Sequence, residues 1–272
     1  MNKNNNKIFD CITFFDENLL VNARLEILKN VVDYFVICES KYDYRGLQKK
    51  INFRLANKKL KNRVRHLVLT DKFPDQKNLW KSEEFQREKI FEGIKDAQSN
   101  DYIMYSDSDE IPNPDIIKRI KLNKKYGIFM MNMYVYKINL FNKYETPWEG
   151  TRICKKKDLK NFSFLRKKIV AKNLKKNFLR KILIEHNIEL IKNGGWHFNN
   201  LYRPQIISKK LRSFPHLEFS DKKFSSIKII KEKIKKRMDL FNRGHIYKLT
   251  KIDNSFPRFI LENKKLFKDY IE

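Results

Sequence analysis

The chain has 272 residues, of which 41% are hydrophobic and 13% aromatic, with 60 Lys and Arg against 32 Asp and Glu for a formal net charge of +28. That apolar share supports one large domain, or one domain with an extension, and excludes wholesale disorder; seven Gly and seven Pro are too few for a turn-rich β-sandwich. The charge calls for anionic partners, such as phosphorylated substrates, an anionic membrane face or nucleic acid, and three separated cysteines (Cys11, Cys38 and Cys154) with no CxxC exclude a zinc ribbon or disulfide frame.

In chain order, the polar start MNKNNNK has no apolar core for a signal peptide, and no uncharged apolar stretch is long enough for a membrane helix. The expectation is a cytoplasmic protein, free or in peripheral contact with an anionic membrane. Residues 7–15 read as a strand. Residues 16–30 read as a helix, with Leu20, Ala23, Leu25 and Leu28 at helical spacing. The run 31–40 is nearly continuous in apolar residues, as a buried parallel strand is. A strand at 63–70, a long helix at 79–98 and a strand at 101–106 follow. Asn113 and Pro114 then supply an N-cap and first residue for a short helix. Residues 126–141 and 147–155 read as further, antiparallel strands, and 165–192 give no clear boundary. NGGWHF (193–198) reads as a Gly-bearing turn. Beyond 203 the pattern is helical, very basic at 221–241. Alternating strands and helices predict an open α/β sheet, organised as a catalytic domain over 1–220 with a helical extension, 221–272, packed on or beside it.

In such sheets ligands bind beyond the carboxyl ends of the strands. There the sequence places DSDE, Asp107 to Glu110, after the fourth strand. Asp107 and Asp109, two apart in extended chain, face one side and suit one hard cation, Mg²⁺ or Mn²⁺, shared with substrate phosphates. A divalent ion also relieves the repulsion between clustered acids. Glu39 ends the second strand and can accept hydrogen bonds from a ribose or base. Gly194 and Gly195 permit close backbone approach to a ligand. Trp196 offers a stacking face, and His197 an imidazole for a metal. PWEGTR adds Trp148, Glu149 and Arg152 as a substrate wall, and SFPHLEFS adds His216 and Glu218 as proton acceptors. The basic run 165–181, Arg166 included, reads as a solvated face or a contact for anionic lipid or nucleic acid.

Taken together, IFDCITFFDENLLVNARLEIL, VVDYFVICES, LWKSEEFQRE, YIMYSDSDEIPNP, PWEGTR, GGWHF and SFPHLEF, in that order over residues 7 to 220, resemble glycosyltransferase family 17. These are relatives of the enzyme that adds the bisecting GlcNAc to N-linked glycans. The resemblance implies a type A glycosyltransferase fold, a Rossmann-like mixed sheet with helices on both faces, here with added basic C-terminal helices. It also implies a UDP-sugar donor, UDP-GlcNAc in the family, and transfer with inversion to a glycan or glycoconjugate acceptor. By motif, Asp107 and Asp109 hold the metal on the diphosphate, with His197 a further ligand. Arg87 lies near the diphosphate. Inverting transfer needs a base for the acceptor hydroxyl; Glu218 is assigned, with Glu110 and Glu149 behind it. Two rivals remain open. One is a nucleic-acid enzyme with a Toprim-like acidic layout using Glu39 and the DSD acids, although Ser40 stands where Toprim has Gly. The other is a non-catalytic basic module that binds membrane or RNA.

Overall fold

The computed structural model describes residues 6–75, 78–175, 186–213 and 219–272. Its first half follows the expected alternation: β1 (Ile8–Phe14), α1 (Asn18–Leu28), β2 (Tyr34–Ser40), β3 (Val64–Leu69), α2 (Leu79–Glu88) and β4 (Tyr102–Ser106). The four strands are parallel in the order β3-β2-β1-β4. β2 is apolar almost throughout because helices or loops cover both its faces. α1 packs Val21, Leu25 and Leu28 on one face of the sheet, with Ile12, Phe35 and Met104. The helix expected over 79–98 ends sooner. α2 stops at Glu88, and the chain continues in 3-10 turns, Lys89–Ile94, where Gly93 lies against Val36.

The second half is mixed. It contains β5 (Glu110–Pro112), α3 (Pro114–Ile117), β6 (Tyr126–Val135), β7 (Leu140–Phe141), β8 (Trp148–Lys155), α4 (Phe162–Lys167) and β9 (Ile188–Asn199). The Asn113 side chain caps α3 by accepting from the Asp115 N–H, and Pro114 opens the helix. β8 joins the two halves, antiparallel to both β4 and β6. β9 runs parallel to β6 and antiparallel to β5.

NGGWHF is therefore the end of a strand, not a turn. Its glycines bring backbone close to backbone rather than to a ligand. A Cβ on Gly195, whose φ is +132°, would lie 2.1 Å from the Ile111 carbonyl oxygen, and one on Gly194 would lie 2.6 Å from the Met130 nitrogen. Only glycine lets β9 pass between β5 and β6 there.

After residue 203 come α5 (Pro204–Ser213), α6 (Lys222–Ser225), α7 (Ile227–Lys235), β10 (Lys248–Leu249) and α8 (Arg258–Glu262). The basic helices expected over 221–241 are the two short helices α6 and α7. The residues after 220 share the core. Phe256, Ile260 and Phe267 pack with Ile111, Trp196 and Phe198, while Ile230, Leu240 and Tyr247 pack with Met133 and Val135. β10 pairs with β7. Cys11, Cys38 and Cys154 are buried free thiols. Among the described residues, no helix is long and apolar enough to cross a membrane.

Candidate active site

The acidic loop hangs between β4 and β5, and a buried cation fixes both of its ends. Arg24 stands on α1 at a position whose neighbours Leu20, Val21, Leu25 and Leu28 are all buried, so its side chain enters the core, where it is 0% exposed. Its Nε donates to Asp10 Oδ2 at 2.7 Å. Its Nη2 donates to Asp10 Oδ1 at 2.6 Å and Ser106 Oγ at 2.8 Å, and its Nη1 to the Glu110 carbonyl. A bidentate guanidinium–carboxylate pair holds such geometry well. One side chain thus ties α1 to β1, to the last residue of β4 and to the first of β5. Sequence reading missed Arg24, although a charge on an apolar helix face was the available signal.

Three of the expected acids assemble with His197 and Trp148. β5–β9 pairing sets Glu110 opposite His197. His197 Nε2 lies 3.4 Å from Asp109 Oδ1, and Lys210 Nζ from α5 lies 4.0 Å from Asp109 Oδ2. Burial would raise the Asp109 carboxyl, but His197 and Lys210 hold it well below its ordinary range. Burial likewise works to lower His197, and Asp109 overrides it and raises it above the usual imidazole value. His197 Nδ1 is buried without a hydrogen-bond partner among the described residues. The Trp148 indole N–H donates to Glu110 Oε1 at 2.8 Å, and its ring centroid lies 4.9 Å from that of His197.

Arg166, at the end of α4, completes the cluster. Its Nη2 contacts Asp107 Oδ2 and lies 3.0 Å from Glu110 Oε1, and its Nη1 lies 3.3 Å from Glu110 Oε2. Burial pushes against this charge, but Asp107 and Glu110 reverse that and keep the guanidinium firmly protonated. α4 presents it rigidly. The Asn161 side chain caps the helix by accepting from the Phe164 N–H, Glu88 of α2 accepts from the Phe162 and Ser163 N–H groups, and Phe162 and Leu165 are buried. In the sequence Arg166 was one cation among eight in the run 165–181, and nothing local set it apart.

Other expected site residues sit elsewhere or are already engaged. Glu110 is 0% exposed with both oxygens taken, so no acceptor hydroxyl reaches it and the base assignment fails there. Glu39 is also fully buried. It accepts from Lys49 Nζ, from the Asn52 and Phe53 N–H groups, and meets His66 Nε2 at 3.1 Å. Burial would raise it, yet those partners, His66 foremost, bring it down to about 2. It clasps the loop after β2 instead of offering lone pairs to a ribose, and a Toprim-like site built on it does not form. Arg87 is buried, with Nε donating to the Tyr105 hydroxyl and Nη2 paired with Glu83, while its Nη1 has no hydrogen-bond partner among the described residues.

Arg152 donates to the Ile169 and Glu149 carbonyls and pairs with the Glu149 carboxylate at 3.5 Å, on the wall of a cavity beside the cluster. Trp196 faces away from His197, as strand neighbours do; it packs with Ile111 and Phe198, donates to the Ser255 carbonyl and borders a separate cavity, away from the acidic cluster. His216 and Glu218 lie outside the described residues. A cavity of 420 Å³ opens beside the cluster, lined by Trp148, Glu149, Arg152 and Arg166 among others. Glu149, 31% exposed, accepts there from the Ala171 N–H.

Among the described residues, no group of three or more His, Cys, Asp or Glu side chains is placed to hold a metal ion. What is present is Asp107 with a 40% exposed carboxylate, and Asp109 beside the His197 imidazole. Carboxylate oxygens and an imidazole nitrogen are donor types that a divalent ion takes together with phosphate oxygens and water.

Solved structures with related arrangements share little sequence with this chain. Glucosyl-3-phosphoglycerate synthase from Mycobacterium tuberculosis, solved with Mn²⁺, UDP and glucosyl-3-phosphoglycerate, is 9% identical with a TM-score of 0.38; the match covers 77% of this chain and 80% of that one. A glycosyltransferase involved in glycosylation of the major capsid of PBCV-1 is 9% identical with a TM-score of 0.30, over 68% of this chain and 81% of its own. A 4-diphosphocytidyl-2C-methyl-D-erythritol synthase is 13% identical with a TM-score of 0.35, over 69% of this chain and 89% of its own. These likenesses are too low to carry a functional argument. No curated protein matches the chain. The family model of glycosyltransferase family 17, however, matches residues 1–268, well past the last motif legible at residue 220. With its parallel β3-β2-β1-β4 half and its mixed second half, the chain has the type A glycosyltransferase architecture and belongs to glycosyltransferase family 17.

Proposed function

We propose that this glycosyltransferase is metal-dependent and inverting. It takes a sugar from a nucleotide diphosphate, GlcNAc from UDP-GlcNAc on the family resemblance, and passes it to a hydroxyl of a glycan or glycoconjugate. The observation that supports the reading is the acidic loop Asp107 to Glu110 at the carboxyl end of β4, with His197 Nε2 3.4 Å from Asp109, at the place where open α/β sheets bind ligands. Asp107 and Asp109 would hold Mn²⁺ or Mg²⁺ there, with His197 able to join them through Nε2. The ion, when bound, offsets the charge that gathers on the departing diphosphate. As the bond from sugar to diphosphate breaks, the anomeric carbon acquires oxocarbenium character, and the acceptor hydroxyl must lose its proton on the opposite face. Among the described residues Glu149 is the base we assign: it is open to the cavity that Trp148 and Arg166 line.

The test is a screen of UDP-sugars with Mn²⁺, read as thermal shift and as slow hydrolysis of the donor. UDP with Mn²⁺ should raise the melting temperature of the wild type, and Asp109→Ala should abolish most of that rise. Absence of any wild-type shift with UDP and Mn²⁺ overturns the reading. In the same assay with acceptor, Glu149→Gln should slow transfer by roughly a hundredfold, the scale of a lost general base, with the UDP shift intact.

A further inference from the structure

Arg166 bridges two carboxylates that differ in one respect. Glu110 is 0% exposed and Trp148 takes its other face, so that half of the fork is anchored. Asp107 is 40% exposed, so the other half rests on a carboxylate that solvent, or an ion from solvent, can reach. The Arg166 side chain itself is 14% exposed. A guanidinium donates from several N–H groups in a planar fork, so loss of one carboxylate leaves the other pair in place.

The same Asp107 is the open ligand of the candidate metal position. A divalent ion and Arg166 therefore compete for one carboxylate. The ion carries twice the charge, yet it must come with phosphate and water to fill its shell. Displacement does not remove the arginine. It frees one N–H of Nη2 beside the incoming metal, while Nη1 and the other N–H of Nη2 stay on Glu110. A freed guanidinium N–H next to a metal-bound diphosphate is a charge-assisted donor for a phosphate oxygen.

Building on the transferase reading, we infer that Arg166 is the resident counter-ion of Asp107 in the donor-free protein, yields that carboxylate to the divalent cation that accompanies the donor, and then binds the nucleotide's diphosphate with the N–H so released. Arg166 thus holds the acid loop together before the metal arrives, and it stabilises the leaving group afterwards. Arg24 has no such second role, because it has no exposed partner.

The exchange has a signature that neither a structural arginine nor a simple phosphate ligand shares. In the full chain, Mn²⁺ binding is measured alone by electron paramagnetic resonance, and UDP binding is then measured calorimetrically at saturating Mn²⁺. Arg166→Gln should bind Mn²⁺ alone about three- to tenfold more tightly, since the competitor is gone. It should bind UDP roughly tenfold or more weakly, the scale of a lost charge-assisted hydrogen bond. Arg166→Lys keeps a charge for Glu110 without spanning both acids, so it guards against a folding defect. It should also tighten Mn²⁺ and weaken UDP, each by less.

If both constants weaken together, the residue is merely structural and the inference falls. An unchanged Mn²⁺ affinity in both variants overturns it as well. Wild-type protein that binds neither Mn²⁺ nor UDP overturns the transferase reading and the exchange together, whereas wild-type binding with variants that move both constants in one direction overturns the exchange alone.

Discussion

Two arginine–aspartate pairs flank the acidic loop, and they do opposite work with the same chemistry. Arg24 and Asp10 are both sealed, and the guanidinium's remaining donors end on Ser106 and the Glu110 carbonyl. Arg166 and Asp107 meet at the rim, where Asp107 stays open to solvent. A charge buried with every nitrogen bonded is a bolt, since any exchange would strand an ion in the core. A charge pair at the rim can be exchanged for another cation at little cost in fold stability. The loop is thus clamped from behind by a sealed pair and held in front by one that solvent reaches.

The largest effect should come from breaking the bolt. Arg24→Met leaves the Asp10 carboxylate buried without its partner and also releases Ser106 and the Glu110 carbonyl. Removing one side of a buried pair costs about 3–5 kcal/mol, so the urea midpoint should fall steeply. A loss below about 1 kcal/mol would mean that water or neighbouring groups replace the guanidinium, and the contrast with the rim pair would collapse.

A second sealed carboxylate extends the comparison to pH. Glu39 sits at about 2 in the folded protein, below the ordinary value of 4.5, through His66, Lys49 and two backbone N–H groups. A depressed carboxyl contributes stability that is present above its unfolded value and is lost as pH falls through the folded one. Glu39→Gln should therefore lower stability by about 3 kcal/mol near neutrality, and the gap to wild type should close as pH drops from about 5 towards 2. Denaturant titrations at several pH values measure this. A gap that stays constant with pH would show that packing rather than charge holds the loop.

The sequence exposes the parallel half and the acidic loop because their signals are local. Continuous apolar runs mark β1, β2 and β4, and DSDE follows directly on the last of them. The same local logic fails where a residue's role is set by a distant partner. NGGWHF reads as a turn because glycines punctuate chains, yet these two glycines serve β5 and β6 across the sheet. Trp196 and His197 are adjacent in sequence but face opposite sides, and only the pairing of β9 with β5 decides which one meets the acids. Arg166 lies 59 positions from Asp107, in a run of eight cations, and their meeting depends on how α4 docks against α2. Glu39 and Arg152 have the residue types of ligand contacts, but backbone groups that no motif encodes occupy them. The residues after 220 carry no legible motif, and their place in the core follows from apolar positions such as Ile230, Ile260 and Phe267 spread over short helices.

The smallest expected change in stability is the most discriminating. Asp107→Asn removes a charge from a carboxylate that is 40% exposed, and Arg166 keeps both contacts to Glu110. Rim pairs of this kind contribute about 0–1 kcal/mol, so the denaturation midpoint should stay within that margin of wild type. Mn²⁺-dependent UDP binding should nevertheless fall by tenfold or more, because a neutral amide is a poor ligand for a hard divalent ion. Arg24→Met should show the reverse profile: a large loss of stability and, in the fraction that remains folded under mild conditions, a UDP affinity much closer to wild type. If Asp107→Asn instead destabilises as much as Arg24→Met, the rim pair is a second bolt, Arg166 is not free to leave it, and the loop is clamped on both sides.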